Sequence, residues 1–137
     1  MISTIDLPAE LGKLKMMRGR TPQSTSAERG GTAASLAPYR DGVLFISKFA
    51  GTGAWERHPR GDELVQIIDG SGTLHLVAED GTQYIEVTAG MVAVIPEGAW
   101  HRFISPDGVT LLTVTPSPSE HVRADVDDPR TMEPERV

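Results

Sequence analysis

From Val43 to Val114 the chain alternates short apolar runs with turn residues. VLFISKF (43–49), LVQIID (64–69), TLHLVAE (73–79), TQYIEV (82–87), MVAVI (91–95), WHRFI (100–104) and VTLLTV (109–114) are strand-length and rich in β-branched residues. Between them stand Asp69-Gly70, Asp80-Gly81, Ala89-Gly90, Glu97-Gly98 and Asp107-Gly108, pairs suited to chain reversal. Asp80-Gly81 is the strongest hairpin signal. Runs of this length and spacing, with no interior helical period, predict an all-β sandwich or barrel.

Several runs are apolar on both faces. In MVAVI, Met91, Ala93 and Ile95 face one way and Val92 and Val94 the other, and VTLLTV behaves similarly. A barrel with a wet exterior alternates apolar and polar residues. The outer faces are therefore expected to be covered by an N-terminal arm, by a second copy in a homodimer, or by both. The arm is residues 1–42, polar and rich in Gly, Ser and Thr, with one helix-compatible piece near Pro8–Met17. Residues 43–115 form the barrel. Residues 116–137, punctuated by Pro116, Pro118, Pro129 and Pro134, read as a surface-hugging or disordered tail. At 137 residues this is one domain.

Composition narrows the chemistry. With no cysteine, disulfides, thiolate zinc sites and cysteine nucleophiles are excluded, and any metal must be held by His and carboxylates. The net charge is −6, and the barrel stretch is itself acidic. Its sign argues against nucleic acid, and the one basic cluster, Lys13, Lys15, Arg18 and Arg20, lacks interleaved aromatics and reads as a solvated arm. No apolar run approaches the ~20 residues of a membrane span. The first residues lack the basic and apolar regions of an export signal, so a cytoplasmic protein without a membrane partner is expected. There is neither a phosphate loop nor a nucleophile elbow.

Glu56 and His58 are two apart and share one face of an extended strand. Glu63 opens the next run with Val65 and Ile67 on its face, and His101 shares a face with Phe103. Two imidazoles and two carboxylates converging in a barrel suit Fe(II), Mn(II), Ni(II) or Zn(II). Trp55 and Trp100 fall on the opposite face as packing or interface residues. His75, without a partner, and His121, in the tail, are expected to be bystanders.

The stretch Gly51–Gly70 resembles the first motif of the cupin superfamily: a Gly, a His-x-His pair, a Glu and a closing Gly. Four residues separate His58 from Glu63, and six separate Glu63 from Gly70. Gly90–Ser105 resembles the second motif, with Pro96-Glu97-Gly98 followed by His101. The resemblance implies a cupin-like jelly-roll barrel with an N-terminal arm and a short C-terminal tail, holding one divalent transition metal ion (Fe, Mn, Ni or Zn) on His58, Glu63 and His101. Glu56 stands where the family has the first His, and Ser105 where it has an Asn. Glu56 is then either the fourth ligand, a general base beside the metal, or a partner of Arg57, Arg60 or Arg102.

Two readings follow. One is a metal-dependent enzyme of dioxygenase, isomerase or decarboxylase type on a small organic substrate. The other is a non-catalytic module that binds or senses a small molecule. Val65, Ile67, Met91, Ala93 and Phe103 are the expected pocket wall, an apolar lining for a moderately apolar substrate with one anchoring oxygen group.

Overall fold

Two long, bent strands organise the molecule, which we describe for residues 4–137 in a computed structural model. Strand β5 spans Glu63–Ala78 and strand β8 spans His101–Pro116. Each fuses two of the runs expected to be separate strands. Asp69-Gly70 and Asp107-Gly108 do not reverse the chain; their glycines, at φ +80° and +113°, bend it in place. Gly70 pairs with Val109, and the β5–β8 register slips on either side of it. A positive-φ glycine in a ladder makes a bulge as readily as a turn, and here the paired bulges curl both strands together. Ser105, fully buried, braces that bend: its hydroxyl donates to the Ser71 carbonyl (2.6 Å) and accepts from the Gly108 N–H (3.0 Å).

The other strands attach to this pair. Strand β3 (Gly42–Thr52) runs antiparallel along β8. Strands β6 (Gly81–Thr88) and β7 (Val92–Ile95) run antiparallel to the two halves of β5. The β5–β6 hairpin closes with Ala78 opposite Gly81, so its loop residues are Glu79 and Asp80, one position before the expected Asp-Gly pair. The short β4 (Trp55–Arg57) bridges β8 and β9 (Glu120–Val122), and β10 (Glu135–Arg136) pairs with β9. The result is one curled sheet, a jelly-roll barrel.

The two flanking segments join this sheet. Helix α1 (Leu7–Gly12) is capped by Asp6, whose carboxylate accepts from the Ala9 N–H. It stops before Met17, which instead opens β1 (Met17–Arg20), parallel to β3, and is buried. Strand β2 (Ala33–Tyr39) pairs antiparallel with β3. At the other terminus β9 brings Val122 between Trp55 and Trp100, and the Trp55 indole donates to the Val126 carbonyl (2.8 Å). Both tryptophans are thus buried in a cluster of their own, beside the main core of Ile67, Val65, Phe49, Phe103 and Leu111.

Val92 and Val94 stay 58% and 63% exposed on the outer side of β7, next to Leu64 on β5. Among the described residues no helix is long and apolar enough to cross a membrane.

Candidate metal centre

Strand β4 is only three residues long, but its register sets the site. Glu56 lies opposite His101 on one side and His121 on the other. Residues opposite one another on neighbouring strands share a face, so these three side chains stand in a row. His58 follows Glu56 by two residues onto the same face, and Glu63 enters from the start of β5. Glu56, His58, Glu63 and His101 each offer a ligand atom, all within 4.8 Å of one another. His101 Nε2 is 3.0 Å from Glu63 Oε1 and 3.3 Å from Glu56 Oε1. His58 Nε2 is 3.3 Å from Glu63 Oε2 and 3.8 Å from Glu56 Oε1. Three of the four are buried; the Glu56 side chain is 32% exposed.

The surrounding groups aim the donors. His101 Nδ1 donates to the Ala99 carbonyl (3.0 Å), which can only accept, so Nε2 is the nitrogen turned to the carboxylates. His58 Nδ1 is anchored 2.9 Å from the Ser119 hydroxyl, leaving Nε2 facing the cluster. That Nε2 is buried without a hydrogen-bond partner, the one such side-chain atom among the described residues. A buried nitrogen is rarely left unpaired, and a ring nitrogen aimed at two carboxylates fits a cation between them. Thr115 steadies Glu63, donating to Oε2 at 2.6 Å, and Thr113 lies 2.9 Å behind Thr115.

The charges are tightly coupled. Burial alone would raise the Glu56 carboxyl, but hydrogen bonds and charge from His101 and His121 outweigh it and hold the group well below its usual range. Glu63 is lowered in the same way: burial raises it, and its hydrogen bond with His101 and its close approach to His58 overcome that. For His101 burial favours the neutral ring, yet hydrogen bonds and charge from Glu56 and Glu63 push it up to about 10. Two ionised carboxylates that hold a proton on His101 this firmly also favour a cation.

Beside the cluster lies a cavity of about 280 Å³. Phe45, Phe49, Phe103 and Leu111 form its apolar wall; Glu56, Glu63 and His121 form the chemical one. The volume suits a small organic molecule.

The profile of the Cupin_2 family, described as Cupin domain, matches residues 45–115. The chain belongs to the cupin family. Solved cupins and barrel proteins share the fold of this cupin. A cupin-2 domain containing protein from Shewanella frigidimarina is 26% identical over 63% of this chain and 80% of its own, with a TM-score of 0.51. Protein NMB1881 from Neisseria meningitidis is 20% identical over 84% of this chain and 100% of its own, with a TM-score of 0.61. Hydroquinone 1,2-dioxygenase from Sphingomonas sp. TTNP3, solved with 4-hydroxybenzoate bound, is 19% identical over 61% of this chain and 64% of its own, with a TM-score of 0.53. No curated protein sequence matches significantly.

Within this cupin the expected pocket wall divides. Phe103 lines the cavity, but Val65 and Ile67 do not: both are fully buried in the core, and Ala93 packs against that core. Strand parity places them inside the barrel without saying at which depth. Met91 is a correction of another kind. It sits in the turn before β7, 48% exposed, its sulfur 3.5 Å from the Thr88 N–H. None of the three arginines engages Glu56: Arg57 pairs with Glu120, Arg102 pairs with Asp125, and Arg60 is exposed.

His121, expected to be a bystander, is at the site. Its Nε2 lies 3.4 Å from Glu56 Oε2, because β9 pairs with β4. The only sequence signal is the alternation of Glu120, His121 and Val122, which hints at a strand and says nothing of its partner. His75 stays outside the site, edge-on to Tyr84 at 4.7 Å and accepting from Arg102 Nε.

Proposed function

We propose that this cupin is a metal-dependent enzyme acting on a small organic substrate, with one divalent transition metal ion on Glu56, His58, Glu63 and His101. The observation that carries the reading is the buried, unpartnered His58 Nε2 within a cluster of four convergent donors. Two imidazoles and two carboxylates suit Fe(II), Mn(II), Ni(II) or Zn(II). Such an ion supplies Lewis-acid polarisation of a substrate oxygen or activation of dioxygen. The protein's own groups do the rest. Glu56 is the most open of the four and reaches the cavity, and His121 holds its second oxygen, so this ligand also borders the space where substrate binds. Phe49 and Phe103 exclude water from the space where substrate binds.

Elemental analysis of the protein beside a His58→Ala/His101→Ala variant tests this. After growth with Fe, Mn, Ni and Zn supplied, the native protein should carry close to one equivalent of transition metal and the variant almost none. Equal content in the two would sink the proposal.

We also infer that the exposed Leu64, Val92 and Val94 surface pairs with a second copy, since these neighbouring apolar side chains face outward on adjacent strands. Sedimentation should give twice the chain mass of 14.8 kDa, and Val94→Glu should return the monomer. A wild-type monomer at micromolar concentration would remove this inference.

A further inference from the structure

Two arginines line the cavity without carboxylate partners. Arg20, at the end of β1, and Arg29, in the loop before β2, both contribute to its wall. Both come from the segment preceding the family match at 45–115. Arg57, Arg102, Arg123 and Arg130 each form an ion pair with a glutamate or aspartate. Arg20 and Arg29 form none among the described residues, although both are half-buried. The remaining unpaired arginines, Arg18, Arg40, Arg60 and Arg136, are exposed, where water solvates them.

Two half-buried guanidinium groups near one another cost the fold energy. Burial, and then the charge of Arg29, pull Arg20 down to about 10, while Glu56 partly offsets them. Burial likewise lowers Arg29, again with Glu56 opposing. Both arginines thus feel Glu56, which lines the same cavity. Arg20 is not adrift: its guanidinium carbon sits 4.5 Å above the centre of the Phe49 ring, which orients a planar, two-pronged donor. A divalent cation on Glu56 and Glu63 would balance those two carboxylates and leave the arginines to seek another anion.

We propose that Arg20 and Arg29 anchor the carboxylate group of a small organic acid, whose apolar body lies against Phe49 and Phe103 and whose other end meets Glu56. The position of that other end rests on the metal-enzyme reading above; the anchor rests on the arginines alone. A carboxylate matches the arginine fork in a two-bond geometry. The cavity wall offers no helix N-terminus of the kind that commonly holds phosphate.

The test is calorimetric binding of benzoate, phenylacetate and succinate, each beside its neutral amide and with inorganic phosphate as a further probe. It uses Ni(II)-loaded protein, chelator-stripped protein, and Arg20→Gln/Arg29→Gln and Arg20→Lys/Arg29→Lys variants. At least one carboxylate should bind wild type tenfold or more tighter than its amide, in both loaded and stripped protein. The Gln variant should lose that preference and the Lys variant keep part of it. The Gln variant should also melt no lower than wild type, because it sheds two unpaired, half-buried charges. The proposal is overturned by a panel with no carboxylate preference, by a preference unchanged in the Gln variant, or by a Gln variant that melts several degrees lower. Phosphate binding tighter than every carboxylate would overturn the assigned ligand class. A preference lost on stripping and kept in the Gln variant would put the carboxylate on the metal instead. Failure of the metal reading alone would show as a preference that never depends on Ni(II), in a protein that binds no Ni(II).

Discussion

Glu63→Gln is expected to weaken divalent-metal binding by about 100-fold while leaving the fold intact. Gln keeps the side-chain volume and can still meet the Thr115 hydroxyl. What disappears is a negative charge 3.0 Å from His101 Nε2 and 3.3 Å from His58 Nε2. Two effects then oppose one another. Without that charge the proton on His101, held at about 10 in part by Glu63, leaves more readily, and a cation displaces it at lower cost. Yet the same carboxylate attracts a doubly charged ion about twice as strongly as a singly charged imidazolium at equal distance. If one neighbouring charge moves an imidazole by ~1–3 pH units, the metal loses about twice that and regains it once. The net loss is ~10- to 1000-fold, with about 100-fold at the centre. The pH profile separates the two effects. In wild type one proton leaves His101 for each cation bound, so affinity should rise about tenfold per pH unit until about 10. In the variant the slope should flatten nearer the ordinary imidazole value of ~6.5. Competition with a chromophoric chelator between about pH 6 and 9 measures both, and unchanged affinity would remove Glu63 from the site.

Such a test can be framed because strand parity is written into the chain. A period of two is a backbone property, so Glu56 and His58 share a face while Trp55 and Arg57 take the other. The barrel itself was legible from its β-branched runs and glycine turns, and the cupin motifs from their spacing. What was not legible is non-local. Nothing in the order of residues says that β9 pairs with β4, yet that pairing alone brings His121 to Glu56. Similarly, Arg20 sits in a polar stretch that reads as an arm, and only the parallel pairing of β1 with β3 turns it toward the cavity. Depth in the barrel is equally hidden. Val65 and Ile67 share the face of Glu63 but pack in the core, since parity reports the side of a sheet and not the height along it. The Asp-Gly pairs at 69–70 and 107–108 misled for a related reason: their conformational freedom serves a bulge as well as a reversal, and only the neighbouring strand decides which.

Gly70→Ala is expected to destabilise the fold by at least ~3 kcal/mol, against about 1–2 kcal/mol for Gly90→Ala. Both glycines hold positive φ, +80° and +93°, where a Cβ is strained. Around Gly90 a Cβ would meet nothing within 4 Å, so the strain is the whole cost. At Gly70 it would run into the Gly108 carbonyl oxygen, with Val109 Cα 3.1 Å away. That obstacle is backbone of the paired strand, not the end of a flexible side chain. Relieving it means parting β5 from β8 where Gly70 pairs with Val109. The same two strands carry Glu63, His101 and Thr115, so separation there loosens the fold and the metal cluster together. For a domain with ~5–15 kcal/mol to lose, a cost of this size leaves little margin. Urea denaturation of the two variants gives the comparison, and a Gly70→Ala midpoint no lower than that of Gly90→Ala would contradict it. A metal that binds only the folded state adds ~2.7 kcal/mol at one hundred times its Kd. Metal supplied during growth should therefore restore much of the soluble yield of Gly70→Ala. Adding Glu63→Gln to the same chain should abolish that rescue, because the cation then has too weak a hold on the folded state to offset the clash.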